Sequence, residues 1–108
     1  MAMHDRLSES RKIVVKVDAE LSGLIPAFLK NRDADIVSML EALEKRDYKI
    51  IERTGHGMKG AGSGFGFDAV SEIGGRIEKA AQNKNSEEIQ KGIGDLSEFL
   101  QHLEVFYE

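Results

Sequence analysis

The stretch Ile51-Glu52-Arg53-Thr54-Gly55-His56-Gly57-Met58-Lys59-Gly60-Ala61-Gly62-Ser63-Gly64-Phe65-Gly66 decides the fold. Six of the chain's 11 glycines lie between Gly55 and Gly66. Glycine inside a helix costs about 0.5–1 kcal/mol relative to alanine, so propensity alone argues for a loop. The apolar spacing argues the other way. Ile51, Thr54, Met58, Ala61 and Phe65 recur at intervals of three and four. At about 100° per residue they fall within an arc of about 80°, and His56 lies about 180° from its centre. The spacing predicts a helix capped by Asp47 and ended by Gly66, with the stripe on the core and His56 in water.

The glycines divide on the same wheel. Gly55 and Gly62 flank the apolar stripe, where they let a neighbouring helix approach. Gly60 and Gly64 fall on the outer half, where packing inside a bundle does not need them. His56, Lys59 and Gly60 stand at i, i+3 and i+4 and share one face. That face offers a nucleophilic nitrogen, a cation beside it and a bare spot for a partner. A phosphate-cradling loop is the rival reading. Gly55-His56-Gly57-Met58-Lys59-Gly60 fits G-x-G-x-x-G, and Lys49-Ile50-Ile51 resembles a preceding strand. A dinucleotide fold needs a parallel sheet, however, and the chain shows no other βαβ pattern and no G-x-x-x-x-G-K-[ST].

Downstream, Asp68 is placed to cap a helix with Val70, Ile73, Ile77 and Ala80 or Ala81 inward. Asn83 to Asn85 break it. Ser86 then opens a last helix, where Ile89, Ile93, Leu96, Leu100, Leu103 and Tyr107 form a heptad-like stripe over about five turns. Glu87 and Glu88 suit its positive end. Upstream, Asp33 or Asp35 opens a helix with Ile36, Met39, Leu40 and Leu43 inward, ending near Arg46. Before it, Asp18 caps a short irregular helix with Leu21, Leu24, Ile25, Phe28 and Leu29, interrupted by Pro26. Ile13-Val14-Val15-Lys16-Val17 is β-branched and alternates, but a lone strand has no partner. It reads as an extended arm lying on the helices. Residues 1–12 are polar and aperiodic, a disordered lead or cloning remnant; the domain is 13–108. Short connections make successive helices antiparallel neighbours. The expected fold is all-α: an up-down-up-down four-helix bundle from about Asp33 to Tyr107, with an N-terminal helix and extended arm.

Composition narrows the function. A chain of 108 residues is one domain that buries about 65% of its unfolded surface. It has no cysteine, one proline and no tryptophan. Disulfides and thiolate metal sites are thereby excluded. The net charge of −4, from 15 basic and 19 acidic residues, is well mixed. No basic stripe points to nucleic acid. No apolar run approaches a membrane span, and no signal peptide opens the chain; the expected location is the cytoplasm. His4 and His102 stand at positions unrelated to His56, which makes a poor metal site. The paired Glu-x-x-His pattern of di-iron bundles is missing.

The run His56-Gly57-Met58-Lys59-Gly60 through Phe65-Gly66 resembles the histidine-phosphotransfer (HPt) signature, H-x-[LM]-K-G-x-x-x-x-[LF]-G. Val70, Gly74 and the pair Ile77-Glu78 fall where that family has a leucine, a small residue and a Leu-Glu pair. The likeness spans roughly Val17 to Tyr107. It departs at Ala61 and Gly62, where serines are common, and in its extra glycines. Lys59-Gly60 followed by Phe65-Gly66-Phe67 is similar to the phosphotransfer domain of chemotaxis-type kinases. The resemblance implies a phosphoryl carrier without a catalytic metal or nucleotide site of its own. His56 would be the phosphoryl acceptor, Lys59 would offset the phosphate's charge and Gly60 would give a partner access. Glu52, Arg53, Ser63 and Gly64 would belong to the docking face. The implied partners are a response-regulator receiver domain and a histidine kinase. No cofactor is expected, with Mg²⁺ supplied by the receiver, and the domain is expected to be monomeric. A non-phosphorylated helical adaptor would use the same bundle without needing His56. A domain of a larger chemotaxis-type kinase would share its chemistry.

Overall fold

A computed structural model describes residues 12–108. The four helices are α1 (Ile25–Glu44), α2 (Tyr48–Phe65), α3 (Asp68–Gln82) and α4 (Ser86–His102). Two short strands frame them, β1 (Ile13–Val17) and β2 (Leu103–Tyr107). The helices follow one another in an antiparallel ring, α1 against α2, α2 against α3, α3 against α4, and α4 back against α1. The all-α bundle holds. Its expected N-terminal lead lies outside the described residues apart from Lys12, which pairs with Glu104 at 3.4 Å.

All three helix connections use the same device. One residue just past each helix turns into the left-handed region: Arg46 (φ 55°) after Lys45, Gly66 (φ 83°) directly, and Lys84 (φ 52°) after Asn83. The next residue's N–H then reaches back to the helix. Asp47 donates to Ala42 at 2.8 Å, Phe67 to Gly62 at 2.8 Å and Asn85 to Ala80 at 2.9 Å. Those bonds satisfy carbonyls that a helix end leaves open. The same next residue is the N-cap of the following helix. The Asp47 carboxylate accepts from the Ile50 N–H at 3.3 Å, and Asn85 Oδ1 from the Glu88 N–H at 3.2 Å. Two or three residues therefore reverse the chain each time, which makes neighbouring helices run antiparallel. Only Gly66 adopts this conformation without a Cβ penalty of about 1 kcal/mol or more. Arg46→Gly and Lys84→Gly are each expected to raise the melting temperature by a few degrees, measured by thermal denaturation. A fall at both would contradict this account of the connections.

The structure departs from the expected elements in several places. First, α1 is one continuous helix. Pro26 sits in its first turn, where a missing N–H costs nothing. Asp33 and Asp35 are inside it rather than at a cap. Asp35 accepts from Arg32 Nε at 2.8 Å. Arg32 is only 8% exposed, its guanidinium 4.8 Å above the Phe28 ring. Burial pushes the Asp35 carboxyl up, against the pull of Arg32. Asp18 caps only a single 3₁₀ turn, Ala19–Leu21, and Leu40 is exposed rather than inward. Second, α3 starts at Asp68 with Phe67 as its N-cap residue. Third, Asn85 caps α4, and Ser86 instead shares a 2.8 Å hydrogen bond with Tyr48. Fourth, α4 stops at His102. Leu103 turns extended (ψ 135°), and Leu103–Tyr107 pairs in parallel with Ile13–Val17. The arm has a partner after all.

Apart from buried Arg32 the core is apolar, with Ile25, Met39, Ile51, Met58, Ile77, Ile89 and Leu96 fully buried. Near the α2–α3 connection the Phe28 ring lies 5.0 Å from Phe65, tilted, and 5.0 Å from Phe67, stacked, and Phe67 meets Phe99 edge-on at 6.5 Å. These rings tie α1, the connection and α4 together.

Candidate phosphoryl-acceptor site

The site begins with how closely α2 and α3 approach. A Cβ on Gly55 would lie 2.7 Å from the Glu78 nitrogen, and one on Gly62 2.5 Å from the Ser71 nitrogen. From the other side, a Cβ on Gly74 would lie 2.7 Å from both the Gly55 oxygen and the Lys59 nitrogen. Backbone meets backbone along this pair. The expected packing role of Gly55 and Gly62 is thus what the structure has, and Gly74 is its counterpart on α3. Ser71 adds a hydrogen bond across the seam, its Oγ donating to the Lys59 carbonyl at 2.9 Å.

This closeness brings a short carboxylate side chain within reach of α2. Glu78 Oε2 lies 2.9 Å from Nδ1 of His56. The imidazole is 74% exposed while the Glu78 side chain is only 19% exposed. A carboxylate accepts and does not donate, so Nδ1 carries the proton in this bond. The other nitrogen, Nε2, is left with its lone pair. In a ring anchored at Nδ1 on the bundle surface, Nε2 is the nitrogen free for an incoming group.

One turn on from His56, Lys59 runs its stem beside Gly75 of α3, whose Cβ would be 3.6 Å from Lys59 Cδ. Its ammonium makes no ion pair among the described residues. Gly60 and Gly64 are exposed, and a Cβ on either would meet nothing within 4 Å. Ser63 is exposed on the same outer surface. On the other side of His56, Lys49, Glu52, Arg53 and Glu78 join it in a shallow cleft of about 390 Å³. Glu52 is held toward α3 by Gln82, whose amide donates to it at 3.1 Å. Arg53 makes no ion pair among the described residues. All seven residues singled out from the sequence therefore lie on one exposed face of α2. Glu78 was not among them. Its only signal in the sequence was the Ile77-Glu78 pair.

No group of three or more potential ligands among the described residues is arranged to hold a metal ion. No helix of the described residues is long and apolar enough to cross a membrane. His102, half-buried at the end of α4, makes no side-chain hydrogen bond among the described residues.

The bundle thus presents an exposed histidine, anchored through one ring nitrogen and flanked by lysine and glycine. The family model of the Hpt domain matches residues 23–105, and the chain belongs to that family. No curated protein and no solved structure matches it. The family places the chain in histidine phosphotransfer within two-component phosphorelays.

Proposed function

We propose that this domain carries a phosphoryl group on Nε2 of His56 between a receiver-domain aspartate, or a kinase catalytic domain, and a response regulator. The observation that carries this reading is the 2.9 Å bond between Nδ1 and Glu78 in an otherwise exposed ring. The Nε2 lone pair attacks phosphorus in an aspartyl phosphate. The P–N bond forms as the acyl P–O bond breaks, and the aspartate leaves as a carboxylate. Nδ1 keeps its proton, so the ring becomes cationic as it takes the phosphoryl group. The Glu78 carboxylate is then a counter-charge to that cation. Phosphoryl transfer is mostly positioning and charge stabilisation, and His56 adds the nucleophile that takes the group.

Lys59 offsets the negative charge arriving one turn away. Gly60 and Gly64 leave room for the loops around the receiver's aspartate, and Glu52, Arg53 and Ser63 form the rest of the docking face. Mg²⁺ and the acidic pocket that binds it belong to the receiver in this reading. The domain is a carrier and not an enzyme, acting in the cytoplasm with kinase and receiver.

Incubation with a panel of phosphorylated receiver domains in Mg²⁺ tests this. The expected result is an acid-labile, base-stable label on the domain. No label from any donor would contradict the reading. Lys59→Ala is expected to slow transfer about tenfold, the scale of losing one favourable charge worth about 1.4 kcal/mol in the transition state, while the bundle melts unchanged. An unaltered rate would remove Lys59 from the site.

A further inference from the structure

β1 and β2 form a two-stranded parallel ribbon. Its inner residues Val15, Val17, Leu103 and Val105 pack on the core. Leu103 and Val105 adjoin Leu29 of α1 and Leu100 of α4. In a ring of four helices, the α4–α1 side is opposite the α2–α3 side that bears His56. Parallel strands are normally covered on both faces, and two strands alone are marginal in water. Here the outer face is open: Val14 is 54% exposed and Phe106 is 49% exposed.

That outer face has an unusual arrangement. Val14 pairs with Glu104 and Lys16 with Phe106. Four side chains thus occupy the corners of a patch about 5 by 7 Å, with the two apolar residues on one diagonal and Lys16 and Glu104 on the other. A two-fold axis along the apolar diagonal returns the patch to itself with the charges exchanged. Val14 then meets Val14 of a second copy, Phe106 meets Phe106, and each Lys16 meets a Glu104. The strands of the two ribbons then cross at about 70°, nearer the orthogonal than the aligned way in which sheets pack face to face. No other two-fold in the plane of the patch joins apolar to apolar and opposite charges together, and an axis along the other diagonal sets Lys16 on Lys16 and Glu104 on Glu104. An axis along the strands sets Val14 on Glu104 and Lys16 on Phe106, and an axis across them sets Val14 on Lys16.

We propose that the outer face of the β1–β2 ribbon is a self-complementary contact through which two copies of this chain pair, leaving both His56 faces open. The surface is small against the roughly 800 Å² per partner of a stable complex, so the pairing is weak and reversible. Glu104 already has Lys12 at 3.4 Å, but both are exposed, and the carboxylate accepts from two cations. The expected monomer is the state at low concentration.

The chain has no cysteine, so single cysteines report the geometry directly. A bismaleimide about 10 Å long matches the spacing of packed sheets. Val14→Cys alone and Phe106→Cys alone are expected to cross-link to themselves. Lys16→Cys and Glu104→Cys are expected to cross-link only when mixed. Sedimentation equilibrium up to millimolar protein is expected to show a dimer that Lys16→Glu weakens about tenfold, the scale of replacing attraction by repulsion at two exposed pairs. Lys16→Glu with Glu104→Lys is expected to restore it. A monomer at every concentration, an equal yield from all four cysteines, or a dimer indifferent to both charge reversals would each overturn the proposal.

Discussion

Replacement of His56 by glutamine is expected to abolish phosphorylation while leaving the bundle intact. The side chain is 74% exposed and its one hydrogen-bond partner is Glu78. Glutamine fills similar space and keeps a donor for that carboxylate, so the loss in stability should stay below about 1 kcal/mol. What disappears is the aromatic nitrogen nucleophile, and removal of a nucleophile commonly costs more than about 10³-fold in rate. Glu78→Gln separates the two parts of the site. The neutral amide can still meet Nδ1 but no longer opposes the cationic ring or fixes which nitrogen holds the proton. Transfer is expected to fall by about 10–100-fold, the usual scale for partners that orient a reacting histidine, with the label still on His56. A stopped-flow rate for Glu78→Gln equal to wild type would show that the 2.9 Å bond has no part in transfer.

The second large effect is on stability, and its sign depends on which glycine is changed. Gly62→Ala and Gly74→Ala each place a methyl carbon 2.5–2.7 Å from backbone atoms of the facing helix. Backbone does not yield as a flexible side chain does, so α2 and α3 must move apart. Each substitution is expected to lose about 2–3 kcal/mol, at the upper end for overpacking, and to lengthen the His56–Glu78 bond. Gly60→Ala and Gly64→Ala meet open space. They are expected to gain up to about 1 kcal/mol from helix propensity. The same two variants should transfer more slowly, because the methyl occupies room meant for the receiver. Urea denaturation of the four variants checks the first claim, and transfer rates check the second. Equal destabilisation by all four would contradict the division into packing and open glycines.

For Gly55, Gly62, Gly60 and Gly64 that division was legible in the sequence, because Ile51 to Phe65 fixes their wheel; the packing role of Gly74, on the facing helix, was not. Asp47 and Gly66 were legible for the same local reason: a cap and a left-handed stop act on their immediate neighbours. The ribbon was not. Leu103 and Tyr107 extend the spacing of Ile89, Ile93, Leu96 and Leu100, and the same residues alternate with Val105 as a strand. Only the distant segment Ile13–Val17 decides between them, and nothing local announces that pairing. In α1 the two aspartates mimicked a helix start. Asp35 instead serves buried Arg32, a tertiary contact that overrides the cap reading. Glu78 was invisible as a site residue for a related reason. Its role depends on how closely two helices approach, which Gly55 and Gly74 set together and neither sets alone.

In the proposed transfer Glu78 holds Nδ1 and leaves Nε2 of His56 to take the phosphoryl group. Long-range ¹H–¹⁵N correlation of the phosphorylated, ¹⁵N-labelled domain, with ³¹P coupling, reads this directly. The account predicts a single phosphoryl group on Nε2 of His56, with Nδ1 still protonated. A phosphoryl group on Nδ1, or on His4 or His102, would contradict it.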